Sequence, residues 1–423
     1  MARRINSGQS TLVTGSPRSG KTSVLEYLMA PEKQTELYDN DADKLIFSYW
    51  DACDCKHNFN LNQFWARVLK PLEEYINAQA PNSAIANCYQ VCKENGFDSY
   101  QLEKLIAEIK KINKRLVLII DEFDSLLNPS FALYSPEFFG GLRTLSSRGK
   151  GAFVLVVTAN ISRSRFREET QQFQSEKGSP YLNFMEAVYL GKLSDSDINE
   201  LLHRGKTFLK KKDNLFIKQI AGAHPYLLQV AASTLWQICE NSQKTSFIKK
   251  LFFDRYQPNK IQELFYGKVR GILDDIWKSW DEQMQEAFIA ITSTQTEDIK
   301  EVFEKRNLDV EALFNQIPDF KDELKELERY GFTQEDNKIN GGWQILPNVF
   351  LLFIPDKLKP KKPFAIWLKE LIKPSKERVI WGLAGGILTS ILNYWDKIFS
   401  KLLEIWEFVQ DWLPELSGFT GWW

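Results

Sequence analysis

Gly15-Ser16-Pro17-Arg18-Ser19-Gly20-Lys21-Thr22 is the stretch whose reading decides the fold. It has the spacing G-x-x-x-x-G-K-[ST], preceded by a strand candidate, Thr11 to Thr14, and followed by a helix candidate, Ser23 to Met29. The glycines let successive backbone N–H groups turn inward around phosphate oxygens, and the helix N-terminus adds partial positive charge. Average residue usage makes a chance match on the order of one per cent in a chain of 423 residues, before the strand-loop-helix context is counted. We therefore expect Gly15, Ser16, Pro17, Arg18, Ser19, Gly20, Lys21, Thr22 and Ser23 to cradle ATP. Lys21 would offer a point charge to the β- and γ-phosphates and Thr22 a hydroxyl to Mg²⁺.

A phosphate-bound magnesium ion needs an acidic partner at the end of a buried strand. Leu116 to Ile120 (LVLII) delivers Asp121-Glu122 about 100 residues after the glycine turn. Asp121 is expected to hold the metal through water, and Glu122 to polarise the attacking water.

Working outward, residues 10 to 190 alternate short apolar runs with longer amphipathic stretches, the pattern of βα units. The other strand candidates are Leu45 to Trp50, Phe153 to Thr158 and Ala187 to Leu190. LVLII and FVLVV are apolar on both alternating faces, which favours a parallel sheet covered by helices on each side. Beyond Leu193 helical periodicity takes over, with Gly222 and Pro225 separating two helices. Residues 262 to 355 give helices, a segment at Tyr330 to Phe332, turn glycines Gly341 and Gly342, and an expected β-rich run from Trp343 to Ile354. Helices closed by a β-hairpin describe a winged helix. The expected division is a core at 1–192, a helical lid at 193–260, a winged helix at 261–355, a basic linker at 356–378 and a hydrophobic and amphipathic tail at 379–423.

In the tail, Val379 to Trp395 runs for seventeen uncharged residues, about 25 Å as a helix and short of a typical bilayer core. Gly382 and Gly386 form a G-x-x-x-G pair, and Asp396 to Leu413 reads as an amphipathic helix. Membrane contact through 379–413 and a soluble helical hairpin are both open on this pattern. The formal net charge of −1 points to no particular partner and weighs against a nucleic-acid binder. Five cysteines form an odd set, and the N-terminal residues show no apolar signal stretch, so a cytoplasmic setting is expected, with the tail peripheral to or inserted in the inner membrane. Cys53, Cys55, His57, Cys88 and Cys92 fit no familiar zinc-ligand pattern and read as ordinary thiols.

With the glycine turn and the acidic pair in place, the chain resembles the AAA+ and STAND branch of P-loop ATPases, particularly prokaryotic AAA-like ATPases with a winged helix. The resemblance covers about residues 8 to 355. It implies an α/β P-loop NTPase core and a polar sensor of the γ-phosphate after the fourth strand candidate, where VVTAN offers Thr158 and Asn160; Asn160 is the expected sensor. It also implies a lid G-x-P motif touching nucleotide, which Gly222-Ala223-His224-Pro225 looks like, although a proline at a helix start needs no ligand to explain it. Arg143, Arg148, Arg163 and Arg165 are candidates to complete a neighbouring subunit's site. The resemblance further implies an ATP-hydrolysing switch that self-associates on binding ATP, answers a protein activator and serves in conflict or antiviral defence, with the tail as effector. An alternative is a DNA-handling ATPase resembling replication initiators or transposition regulators. The acidic run from Asp298 to Glu328 would repel DNA phosphates and disfavours that alternative.

Overall fold

Five strands carry the apolar runs just quoted: β1 (Thr11–Thr14), β2 (Leu45–Asp51), β3 (Arg115–Asp121), β4 (Phe153–Ala159) and β5 (Glu186–Tyr189). The computed structural model describes residues 1–173, 181–207, 209–243, 258–296 and 314–358. All adjacent strand pairs are parallel, in the order β2-β3-β4-β1-β5. The expected parallel α/β sheet is therefore present.

The period of two along each strand sorts side chains into two cores. Val117 and Ile119 of β3, Val154 and Val156 of β4 and Val13 of β1 pack with Ile5, Leu25, Leu28 and Tyr38 on one face. Leu116, Leu118, Ile120, Leu155 and Val157 meet Phe64, Leu72, Leu105, Phe138 and Leu142 on the other. Every residue of β4 is buried, as a central strand covered on both sides requires.

The strand order positions the site. From β1 the chain crosses to the far edge at β2 and returns through β3 to β4, whereas after β4 it passes to β5 on the opposite side of β1. Connections from the neighbouring strands β1 and β4 thus diverge, leaving a crevice at their carboxyl ends. Gly15 follows β1, Asp121 ends β3 with Glu122 directly after it, and Asn160 follows β4.

Beyond β5 the described α-helices are Asp195–His203, Lys211–Ala221, Pro225–Gln243, Pro258–Ser279, Glu282–Thr292, Lys321–Tyr330 and Phe350–Leu358, with a short antiparallel hairpin, β6 (Thr333–Glu335) and β7 (Trp343–Ile345). Trp280, Phe288, Phe332 and Phe350 stack and edge against one another at their core. All of these elements belong to one compact unit ending at Lys359.

One expectation about the hairpin is corrected. The run from Trp343 to Ile354 is not β-rich throughout: the strand stops at Ile345, and Phe350–Leu358 is a helix. Pro347 has no N–H for a ladder, and Phe350, Phe353, Ile354 and Leu358 recur at helical spacing on one buried face. Tyr330 closes a helix, Gly331 ends it in the left-handed region at φ 86°, and pairing begins at Thr333.

Among the described residues no helix is long and apolar enough to cross a membrane. The linker from 359 onward and the whole tail, including 379–413 and the G-x-x-x-G pair, lie outside the described residues, as does the acidic run before Phe314.

Candidate functional site

The loop after β1 and the helix it opens bring backbone donors to one point. The helix begins at Lys21, two residues earlier than the sequence suggests, and Gly20 precedes it in the left-handed region at φ 97°, a conformation that costs glycine nothing. No side chain caps this helix, so its first amide groups face the loop. Ser19 Oγ is buried with no hydrogen-bond partner. Free amides and an orphaned buried hydroxyl suit an anion, and the dipole adds to the attraction.

Lys21 is buried, and its Nζ donates to Gly15 O (2.9 Å), Ser16 O (3.0 Å) and Asn160 Oδ1 (2.6 Å). Burial lowers its pKa, opposed by the Glu122, Asp124 and Asp121 carboxylates. Thr22 Oγ1 donates to Asp121 Oδ2 at 2.7 Å. The glycine turn and the acidic pair, 99 residues apart at this contact, therefore meet directly.

Asp121 is buried and ringed by hydroxyls. Thr158 Oγ1 donates to its Oδ1, and Tyr49 OH reaches Oδ2 at 3.4 Å. The next residue, Glu122, sits in the left-handed region at φ 51°, ψ 41°. Its carboxylate accepts a hydrogen bond from Asn160 Nδ2. Burial first, and then the Asp124 carboxylate, push the Glu122 pKa up, while Lys21 and Asn160 pull it back. Asp124 itself is pushed up by burial, and its Oδ1 has no partner.

His224 stands directly before the helix Pro225–Gln243 and faces the loop from the other side. Its Nε2 lies 3.1 Å from Ser16 Oγ and 3.2 Å from Pro17 O. A carbonyl accepts only, so the hydrogen is on Nε2, and Nδ1 is left to accept from Leu227 N at 3.5 Å. Burial pushes the His224 pKa down to about 4, which keeps the ring neutral. Pro225 begins the helix, and the neighbouring Tyr226 ring lies 5.5 Å from the Arg18 guanidinium.

Beside the loop an apolar cavity of about 450 Å³ is lined by Met1, Ala2, Ser23, Val24, Tyr27, Leu28 and Leu37. The loop after β4 runs into the C-terminal half. Ser162 Oγ and Ser164 Oγ both donate to Asp281 Oδ2 (3.1 and 2.6 Å), Arg165 Nη1 donates to Lys278 O (2.7 Å), and the Arg163 amide donates to Glu326 (3.3 Å). Thr14, the residue before Gly15, shares a buried hydrogen bond of 3.0 Å with Tyr330 OH. Of the four arginines proposed to act in trans, Arg165 thus contacts its own chain, and Arg148 pairs with Glu103.

The structure brings Gly15 to Ser23, Asp121, Glu122, Asn160 and His224 to one place. Sequence reasoning missed Asp124, Tyr49 and Tyr330. Asp124 had a signal, as the third carboxyl in DEFD; Tyr330, 316 residues from its partner Thr14, had none.

The profile of a family described as an AAA domain matches residues 3–164. No curated protein matches the sequence. Among solved structures the chain is similar to the Walker-type ATPase PABY2304 of Pyrococcus abyssi, with 12% identity, 81% of this chain and 90% of that one covered, and a TM-score of 0.46. It is similar also to the Aeropyrum pernix ORC2 protein in its ADPNP-ADP complexes (14% identity, 84% and 90% covered, TM-score 0.44). A further similar structure is Drosophila ORC bound to DNA (13% identity, 85% and 83% covered, TM-score 0.37).

Proposed function

Starting from an AAA-type P-loop ATPase domain over residues 3–164, we propose that this chain is a nucleotide-driven switch. ATP sits in the crevice between Gly15–Thr22 and Asp121-Glu122, and its hydrolysis changes how the C-terminal helices are held. Lys21 holds the β- and γ-phosphates, Glu122 orients the attacking water, and Asn160 senses the γ-phosphate from between the two. Asp121 and Thr22 suit Mg²⁺, a hard cation that takes oxygen donors, and the unpartnered Ser19 hydroxyl fits a phosphate-lined cradle. When bound, the ion would neutralise phosphate charge. The apolar cavity beside Val24 and Tyr27 offers a seat for the adenine ring.

Hydrogen bonds linking the site to residues far along the chain carry the switch reading. Thr14–Tyr330, Ser162 and Ser164–Asp281, and His224–Ser16 each begin at the site itself or one to four residues from it. A change at the phosphates therefore reaches the aromatic core around Trp280 and Phe332 through few atoms. Self-association on ATP binding, an activating partner, a defence role and a membrane-active or oligomerising tail extend this reading by resemblance. In the DNA-handling alternative the β6–β7 hairpin would lie on a duplex; salt-dependent retention on DNA would favour it.

Lys21→Ala should abolish tight ATP binding, and limited proteolysis of the wild-type chain should give one pattern with ATP and another with ADP. A variant that binds ATP as the wild type does would remove the assigned phosphate site. Identical patterns in all states would remove the switch.

A further inference from the structure

Thr158 is the last polar side chain of β4, fully buried, and its hydroxyl joins both members of the acidic pair. Oγ1 donates to Asp121 Oδ1 and accepts from the Glu122 backbone N–H at 2.8 Å. The same N–H also lies 3.1 Å from Asp121 Oδ1, so the peptide between the two acids is held from two directions. Glu122 needs this hold. It is neither glycine nor asparagine, yet φ is 51°, a left-handed conformation that is unfavourable for an ordinary L-residue.

We propose that Thr158 is a positioning residue for ATP hydrolysis: its hydroxyl fixes the left-handed turn that aims Glu122 at the crevice while setting the rotamer of Asp121. The hydroxyl has one proton, which goes to the carboxylate, and its lone pair takes the amide; a single group with both capacities is required. Valine has neither, and serine keeps both. The inference rests on Glu122 acting on water, so Glu122→Gln is assayed alongside.

The test compares Thr158→Val and Thr158→Ser in the full chain for single-turnover ATP hydrolysis and for affinity for a fluorescent ATP analogue. Thr158→Val should slow hydrolysis roughly 10- to 100-fold while nucleotide affinity stays within about threefold, and Thr158→Ser should return hydrolysis to within about threefold of wild type. Should the valine variant not melt like the wild type, Thr158→Cys, with its weak thiol donor, replaces it in the same comparison. Hydrolysis unchanged in the valine or cysteine variant, or equally slow in the serine variant, overturns the inference. If Glu122→Gln turns over like the wild type, the fault lies in the assignment of the site, a result distinct from an inactive Glu122→Gln beside an unaffected Thr158→Val.

Discussion

His224 ties the stability of the phosphate loop to pH. Its folded pKa of about 4 lies below the ordinary 6.5, so folding favours the neutral ring. That stabilisation is fully present above pH 6.5 and is lost as pH falls toward 4. The full shift corresponds to about 3 kcal/mol, of which about 2 kcal/mol is gone by pH 5. Melting of the wild type at pH 7.5 and pH 5 should show the loss, and His224→Gln should lose less over the same interval. Equal acid sensitivity in the two proteins would show that another group is responsible. Lys21, Thr22, Asp121 and Glu122 were legible as residues because each follows from a spacing or a strand end. Their hydrogen-bond partners were less so. Thr158 and Asn160 both stood in VVTAN, but only the register of β4 between β1 and β3 shows that one touches the acidic pair from inside the sheet and the other bridges Lys21 to Glu122.

At the level of elements, the connection after β5 meets the end of the helix Lys321–Tyr330 more closely than side chains allow. A Cβ placed on Gly191 would come within 2.0 Å of Arg329 O, a backbone atom that cannot step aside cheaply. Gly191→Ala should therefore destabilise the protein by about 1–3 kcal/mol through overpacking, read as a lower urea midpoint. Tyr330→Phe, which removes only the hydroxyl shared with Thr14, should cost about 1 kcal/mol. A Gly191→Ala midpoint equal to wild type would mean that these elements do not hold this approach in solution. The central strands were readable because LVLII and FVLVV are apolar on both faces and long enough to exclude other readings. The hairpin was not: Trp343 to Ile354 is apolar apart from Gln344 and Asn348, and neither period dominates until Pro347 interrupts the ladder and the buried face of Phe350–Leu358 is seen.

For the whole molecule, two of the contacts between the loop after β4 and the C-terminal half meet at Asp281. Its Oδ1 caps the helix Glu282–Thr292 through Met284 N, and its Oδ2 receives both serines. Asp281→Ala should lower stability by about 1–2 kcal/mol through the lost cap. It should also raise hydrogen exchange in Glu282–Thr292 without ATP; exchange unchanged there would argue against Asp281 as the junction. The tail proposal is checked separately by flotation of the full chain with anionic liposomes against a form ending at Ser375, where equal behaviour would defeat membrane contact. The most direct measurement is the effect of Glu122→Gln on ATP binding and on turnover in one preparation. Nucleotide affinity within about threefold of wild type with turnover reduced roughly 100-fold or more is the predicted result. Turnover at the wild-type rate would contradict it, because the carboxylate beside Lys21 and Asn160 would then have no part in the chemistry.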